Sequence, residues 1–208
     1  MNEQQTRRRR VPALAPDERR AALIAATLPL LRTHGAAVTT RQIAEAAGVA
    51  EGTIFGVFRD KASLIAAALE SAFEAGPVLR AVSAIDPQAP LRQRLSDAAA
   101  ILIRRVESSV PLMMLARTMP CDAENSPWAA LLRGRRQLVD AIAELIGPDR
   151  DQLRRSPETT AGVLFALVAS TVRGDLPTDK PFTPDDIVGV LLDGLLAPSA
   201  EPPNRGDT

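Results

Sequence analysis

Val38–Phe58, VTTRQIAEAAGVAEGTIFGVF, decides how the rest of this 208-residue chain is read. It divides into two short helical patterns with a break between them. Thr39 or Thr40 can cap the first, because a hydroxyl there accepts a hydrogen bond from a free N–H of the opening turn. Ile43, Ala44 and Ala47 recur at helical spacing and give one apolar face. Gly48 then offers the left-handed backbone on which helices commonly end. Val49 turns back toward Ile43 and Ala44 and sets the angle between the helices. The second helix is expected over residues 51–58, with Ile54 and Phe58 as inner anchors. Two helices joined in this way make a helix-turn-helix, whose second helix fits a DNA major groove.

TTRQIAEAAGV, then GTIF, then Phe58, Lys61 and Leu64 resemble the DNA-binding domain of TetR-type transcriptional regulators. The resemblance is specific over residues 17–76 and one of general layout beyond them. It implies an all-α chain: an N-terminal three-helix helix-turn-helix domain at 17–76, with the motif at 39–58, and a larger helical effector-binding and dimerisation domain at 77–197. Carried over position by position, Thr40 and Arg41 match residues that touch phosphate and a base edge. Arg41 can bond a guanine bidentately. Glu51, Gly52, Thr53, Phe55 and Val57 face the groove, Thr53 bonding phosphate and Gly52 keeping the backbone close to the bases. Lys61 matches a phosphate-binding lysine.

Three positions depart from the family's pattern. Ala50 stands where a capping Ser is common, at a cost of about 1 kcal/mol in helix initiation. Phe55 replaces the usual Tyr, keeping a ring for a thymine methyl and losing a phosphate hydrogen bond. Gly56, read as lying inside the second helix, weakens it by about 1 kcal/mol.

Toward the N-terminus, Asp17 can cap a helix that runs to His34 and stops at Gly35. Leu23, Ile24, Ala26, Leu28 and Leu31 form its buried stripe. Pro29 lacks an N–H and crowds the carbonyl of Ala25, so a kink or a cost of about 3 kcal/mol is expected there. His34 reads as a C-terminal helix residue, favourable with the dipole. Residues 1–16 are basic, punctuated by proline and expected to be disordered. Arg7–Arg10 can reach a minor groove or phosphates, or form a solvated tail.

Toward the C-terminus, Asp60 can cap a helix over residues 61–75, which Gly76-Pro77 would end or kink. Helices follow over residues 90–107 and 110–118. Ser126-Pro127 opens one running to Ile146, Ser156-Pro157-Glu158 one running to Val172, and Thr183-Pro184 the last, ending near Leu196. Residues 198–208 are expected to be a disordered tail. Both final helices are apolar around most of their circumference, so each needs a second surface besides the body. A twofold partner is the simplest, and in the proteins this chain resembles these helices build a dimer interface. Gly162, Phe165, Ala166, Ala169, Val188, Leu191, Leu192 and Leu195 are the expected interface residues; a helix sheathed inside one subunit is the other reading.

The net charge is zero, which argues against a general polyanion binder. Through Lys61, however, ten Arg and Lys stand against six Asp and Glu, a net +4, which leaves −4 for the remainder. A basic head on an acidic body suits a protein that meets DNA at one end. One cysteine, Cys121, cannot pair within the chain and fits a reducing, cytoplasmic setting. One His and one Cys do not make a zinc site of usual type, so no metal is expected. No uninterrupted apolar run reaches the roughly 18 residues of a membrane span.

The body offers no Ser/His/Asp set, no paired carboxylates on an apolar face and no Gly-rich phosphate loop, so neither catalysis nor a cofactor is expected. The resemblance implies a small effector bound among body helices in a largely apolar cavity. Leu102, Met113, Met114, Arg117, Trp128, Leu132 and Phe165 are candidate lining, with core packing as the plain alternative. The leading expectation is therefore a homodimeric repressor released from a palindromic double-stranded DNA operator by a small apolar effector. The alternative is a small-molecule-binding helical protein with a degenerate head.

Overall fold

The computed structural model describes residues 15–119, 126–176 and 179–194. Among the described residues there are nine α-helices, two 3₁₀ turns and no strand, so the all-α expectation holds. They divide into two compact units. The first takes the residues up to Phe73 together with Pro111–Ala129; the second takes Glu74–Val110 and the residues from Ala130 onward. Arg7–Arg10, Cys121, Leu195 and the 198–208 tail lie outside the described residues.

The first unit opens with α1 (Pro16–His34), a 3₁₀ turn (Gly35–Ala37), α2 (Thr40–Ala46), α3 (Glu51–Phe55) and α4 (Lys61–Phe73). Helix α1 packs on α2 and α4, and α2 packs on α3. The start of α1 differs from expectation. Pro16 takes the first helical position, and the Ala15 N–H donates to the Glu18 carboxylate at 3.0 Å. Asp17 therefore lies inside the first turn, where its charge favours the positive end of the helix dipole. The helix runs through Pro29. Both Pro29 and Ala25 are exposed, so the missing hydrogen bond falls on the side that water can reach.

Thr39, rather than Thr40, caps α2. Its hydroxyl accepts from the Gln42 N–H at 3.2 Å, and the Gln42 Oε1 accepts from the Thr39 N–H at 2.8 Å. This reciprocal arrangement satisfies two otherwise free donors. Gly48 has φ +66° as the turn requires, and the Val49 N–H donates back to the Ala44 carbonyl at 3.0 Å. Helix α3 is shorter than expected. Gly56 is its C-cap, not an interior residue, and the Val57 and Phe58 N–H groups both close on the Ile54 carbonyl, at 3.0 and 2.8 Å. The helix penalty assigned to Gly56 therefore does not apply, since a terminal glycine breaks no intrahelical ladder. Asp60 caps α4 as expected, accepting from the Ser63 N–H at 2.7 Å.

The remaining helices are α5 (Gly76–Ser83), α6 (Leu91–Thr118), α7 (Pro127–Ile146), α8 (Pro157–Arg173) and α9 (Pro184–Asp193), with a 3₁₀ turn at Gly147–Gln152. Helix α4 stops at Phe73, two residues short of the expected end, and Gly76-Pro77 opens α5 directly after the break, because Pro at a first or second helical position sacrifices no hydrogen bond. The stretch Lys61–Ser83 is, by length and composition, long and apolar enough to cross a bilayer, its most apolar 18 residues having a mean hydropathy of 1.3. Ser63, Glu70, Ser71 and Glu74 interrupt it, so no unbroken apolar run marks it in the sequence. The helix breaks at Glu74-Ala75, and Leu64, Ile65, Leu69 and Phe73 are buried within the chain.

The two helices expected around residues 108–109 are one helix, α6, of 28 residues. Pro111 and Glu107 are both exposed, so the hydrogen bond that Pro111 cannot donate again faces solvent. The core of the second unit joins Leu95, Leu102, Leu138, Ile142, Ile146, Leu164, Val168, Ile187 and Val188. Polar ties fasten the start of α6. The buried Arg94 donates to the Ala89 and Leu145 carbonyls and pairs with Asp149. The Ser96 hydroxyl donates to Asp185 at 2.5 Å, and Arg92 pairs with Asp193 at 2.7 Å. Ser126, Ser156 and Thr183 cap α7, α8 and α9 as expected, each accepting from a backbone N–H three residues on.

Candidate nucleic-acid interface

The eight residues expected to face DNA all lie at or near the surface of the first unit. Arg41, Glu51, Gly52 and Phe55 are exposed, and Thr40, Thr53, Val57 and Lys61 are half-buried. Phe55 is a large apolar side chain with 54% of its surface open to water, an unusual state for a ring with nothing to cover it. Ile54 and Phe58 point inward, at 0% and 3% exposure, so α3 shows one anchored side and one open side.

Three contacts brace this face. The Thr40 hydroxyl donates to the Glu51 carboxylate at 2.5 Å, tying the first residue of α2 to the first of α3. The Lys61 ammonium donates to the Ala36 carbonyl at 3.1 Å, which leaves two of its three protons for another acceptor. The Arg20 guanidinium lies 4.4 Å from the centre of the Phe58 ring, a cation–π arrangement that joins α1 to the end of the motif. Neither Arg20 nor the Ala36 carbonyl is foreseeable from spacing, because each contact depends on how α1 and the 3₁₀ turn lie against the motif.

The two glycines of this face are not demanded by the fold. Gly52 has an ordinary helical backbone, and a Cβ built on it would meet nothing within 4 Å. Gly56 would gain only an ordinary contact, 3.5 Å from the Thr53 carbonyl. Ala50 occupies the α3 cap position and makes no side-chain hydrogen bond there, as the departure from the family pattern implies. Beside this face, Asp60 is held below the usual carboxylate range, chiefly by the Ser63 N–H that it accepts and then by the Arg59 guanidinium.

The other expected sites are distributed differently. Of the candidate effector residues, Leu102 is fully buried in the second unit's core, whereas Met114 and Leu132 are 68% and 48% exposed. Met113 is half-buried. Arg117 stacks on Trp128 at 5.7 Å, and Arg135 on Phe165 at 5.0 Å. An open cleft of about 330 Å³ in the second unit is lined by Asp140, Ala143, Glu144, Gly147, Arg150, Pro157 and Glu158, none of them an expected effector residue. Glu158 is held below its usual range, chiefly by Ser156. Of the expected dimer residues, Val188 and Ala169 are buried within the chain. Gly162, Phe165, Ala166, Leu191 and Leu192 keep part of their surface open, and Val163, at 44% exposure, belongs with them.

A short two-helix motif braced against a longer first helix, with an all-helical body, defines a helix-turn-helix protein. Residues 23–68 match the family model of the bacterial regulatory proteins, tetR family. The head is therefore the helix-turn-helix domain of the tetR family, and the resemblance read from Val38–Phe58 is borne out. A search of the curated proteins found no match. Among solved structures, a TetR-family regulator from Mesorhizobium loti shares 17% identity over 87% of this chain and 98% of its own, with a TM-score of 0.66. FadR from Bacillus subtilis, in complex with stearoyl-CoA, shares 14% over 85% and 99%, with a TM-score of 0.61. A TetR-family regulator from Rhodococcus sp. shares 24% over 85% and 96%, with a TM-score of 0.58. These likenesses show a shared fold.

Proposed function

We propose that this chain is a homodimeric transcriptional repressor that reads a palindromic operator and leaves it when a small apolar effector binds the body. The observation that carries the reading is the outer face of α3. It keeps Phe55 in water and places glycine at 52 where the fold asks for none, and the same unit holds an exposed Arg41 and a Lys61 with protons to spare. A backbone stripped of Cβ, on a head that also exposes cations, suits close approach to a polyanion.

One such helix buries little, so two are needed, about 34–36 Å apart on one side of the duplex. The open apolar surface of α8 and α9, formed by Gly162, Val163, Phe165, Ala166, Leu191 and Leu192, is the proposed dimer face. Two half-sites on a twofold protein imply a palindrome. The stearoyl-CoA complex of Bacillus subtilis FadR supports an apolar effector for a body of this fold. On this reading the protein is cytoplasmic, has no catalytic role, and requires no cofactor or metal.

The test is selection of random and genomic duplexes by the purified protein at about 150 mM salt. An enriched palindrome is the expected result. Lys61→Ala should weaken binding to every sequence and reduce the salt slope by about one, whereas Arg41→Ala should relax preference at one base. No enrichment even at low salt would overturn the reading in favour of a sensing body with a degenerate head.

A further inference from the structure

Thr40 and Glu51 are both expected to face DNA, yet in the free chain they are bonded to each other. A threonine hydroxyl has one proton to donate. It cannot serve the Glu51 carboxylate and a phosphate oxygen together. When Thr40 turns to phosphate, Glu51 is left as an exposed anion among the phosphates of both strands and needs a new donor.

The major-groove edges restrict what that donor can be. Guanine and thymine present acceptors, which repel a carboxylate. Adenine offers its N6 amino group beside the N7 acceptor, so the second carboxylate oxygen meets a lone pair. Cytosine offers its N4 amino group with no acceptor of its own alongside. Gly52, whose Cβ would meet nothing, leaves the neighbouring space open for a base pair to come close.

We propose that Glu51 determines base preference by accepting from a cytosine N4 amino group, with the Thr40 hydroxyl as its latch in the free protein. This rests on the reading of the head as a DNA reader. Binding exchanges one internal hydrogen bond for two external ones, Thr40 to phosphate and Glu51 to cytosine. A site without that cytosine leaves the carboxylate unpaired, so the same residue rewards the right sequence and penalises wrong ones.

Duplex selection with the full-length wild type and with Glu51→Gln, Glu51→Ala and Thr40→Val tests it, with circular dichroism confirming that each variant is folded. Wild type should enrich a cytosine at one position of each half-site. Glu51→Ala should lower that preference by roughly five- to tenfold, and Glu51→Gln should move it toward adenine, whose N6 and N7 pair with a carboxamide. Thr40→Val should weaken binding to all sequences while keeping the cytosine. Unchanged base choice in both Glu51 variants would overturn the proposal and leave the reader intact. Wild-type protein that retains no duplex at about 50 mM salt would overturn the reader, and the proposal with it.

Discussion

Helices α3 and α8 are held in opposite ways. Helix α8 carries its own instructions: Ser156 caps it, Pro157 starts it, and Gly174 ends it at φ +73° after 17 residues. Pro157, Thr160, Ala161, Leu164, Val168 and Ala169 are buried along it. Helix α3 has five residues, an uncapped start, a glycine at its second position and one buried side chain, Ile54. A helix of that length does not persist alone in water. It exists because Ile54 is anchored and because α2 and the chain around Phe58 hold its ends. The contrast teaches that α8 is written for stability and α3 for the face it turns outward.

The two helices differ most at the Ile54 anchor. Ile54→Ala should cost about 2–5 kcal/mol in a thermal or urea melt and abolish duplex retention, since Ile54 is the one buried side chain of α3. Ser156→Ala should cost about 1 kcal/mol and leave duplex binding by the folded protein unchanged, because α8 loses one cap among many supports. Gly52→Ala should move stability the other way, adding up to about 1 kcal/mol, while weakening duplex binding. A gain in both would mean that α3 is an ordinary surface helix.

Acid should expose a smaller difference. Asp60 beside the motif, and Glu158 and Asp186 at the starts of α8 and α9, are each held below their usual range, Asp186 chiefly by the Thr183 N–H. A carboxylate depressed in the folded state adds stability that is complete above its unfolded value and is lost as pH falls toward the folded one. Melting temperature should therefore begin to fall below about pH 4.5, the higher of the two ordinary values. Asp60→Asn should flatten part of that fall, as read in melts at pH 3 to 6. An unchanged profile would show that the Ser63 and Arg59 contacts do not persist in solution.

What the sequence revealed follows the same division. Local chemistry was legible: a cap at Thr39 or Thr40, the caps at Asp60, Ser126, Ser156 and Thr183, the left-handed Gly48, and the inward Ile54 and Phe58 could all be read from residue types at short spacing. Readings that depend on packing were not. Pro111 resembles a helix breaker unless its solvent-facing position is known, so α6 read as two helices. Val188 and Ala169 share the apolar character of Leu191 and Ala166, and only the packing of α8 on α9 separates core from open face. The Thr40–Glu51 bond joins residues 11 apart across a turn, and no periodicity announces it.

The fastenings at the start of α6 carry a consequence for synthesis. Arg94 waits for Leu145 and Asp149, Ser96 for Asp185, and Arg92 for Asp193. At about 5–20 residues per second, Arg94 leaves the ribosome some 3–11 s before Asp149. Until then the segment that begins the longest helix has the Arg94 guanidinium to bury and, of its acceptors, only the Ala89 carbonyl in place. The body of this protein cannot close from its beginning, and a chain stopped short of Asp149 would present that unfinished end to proteases.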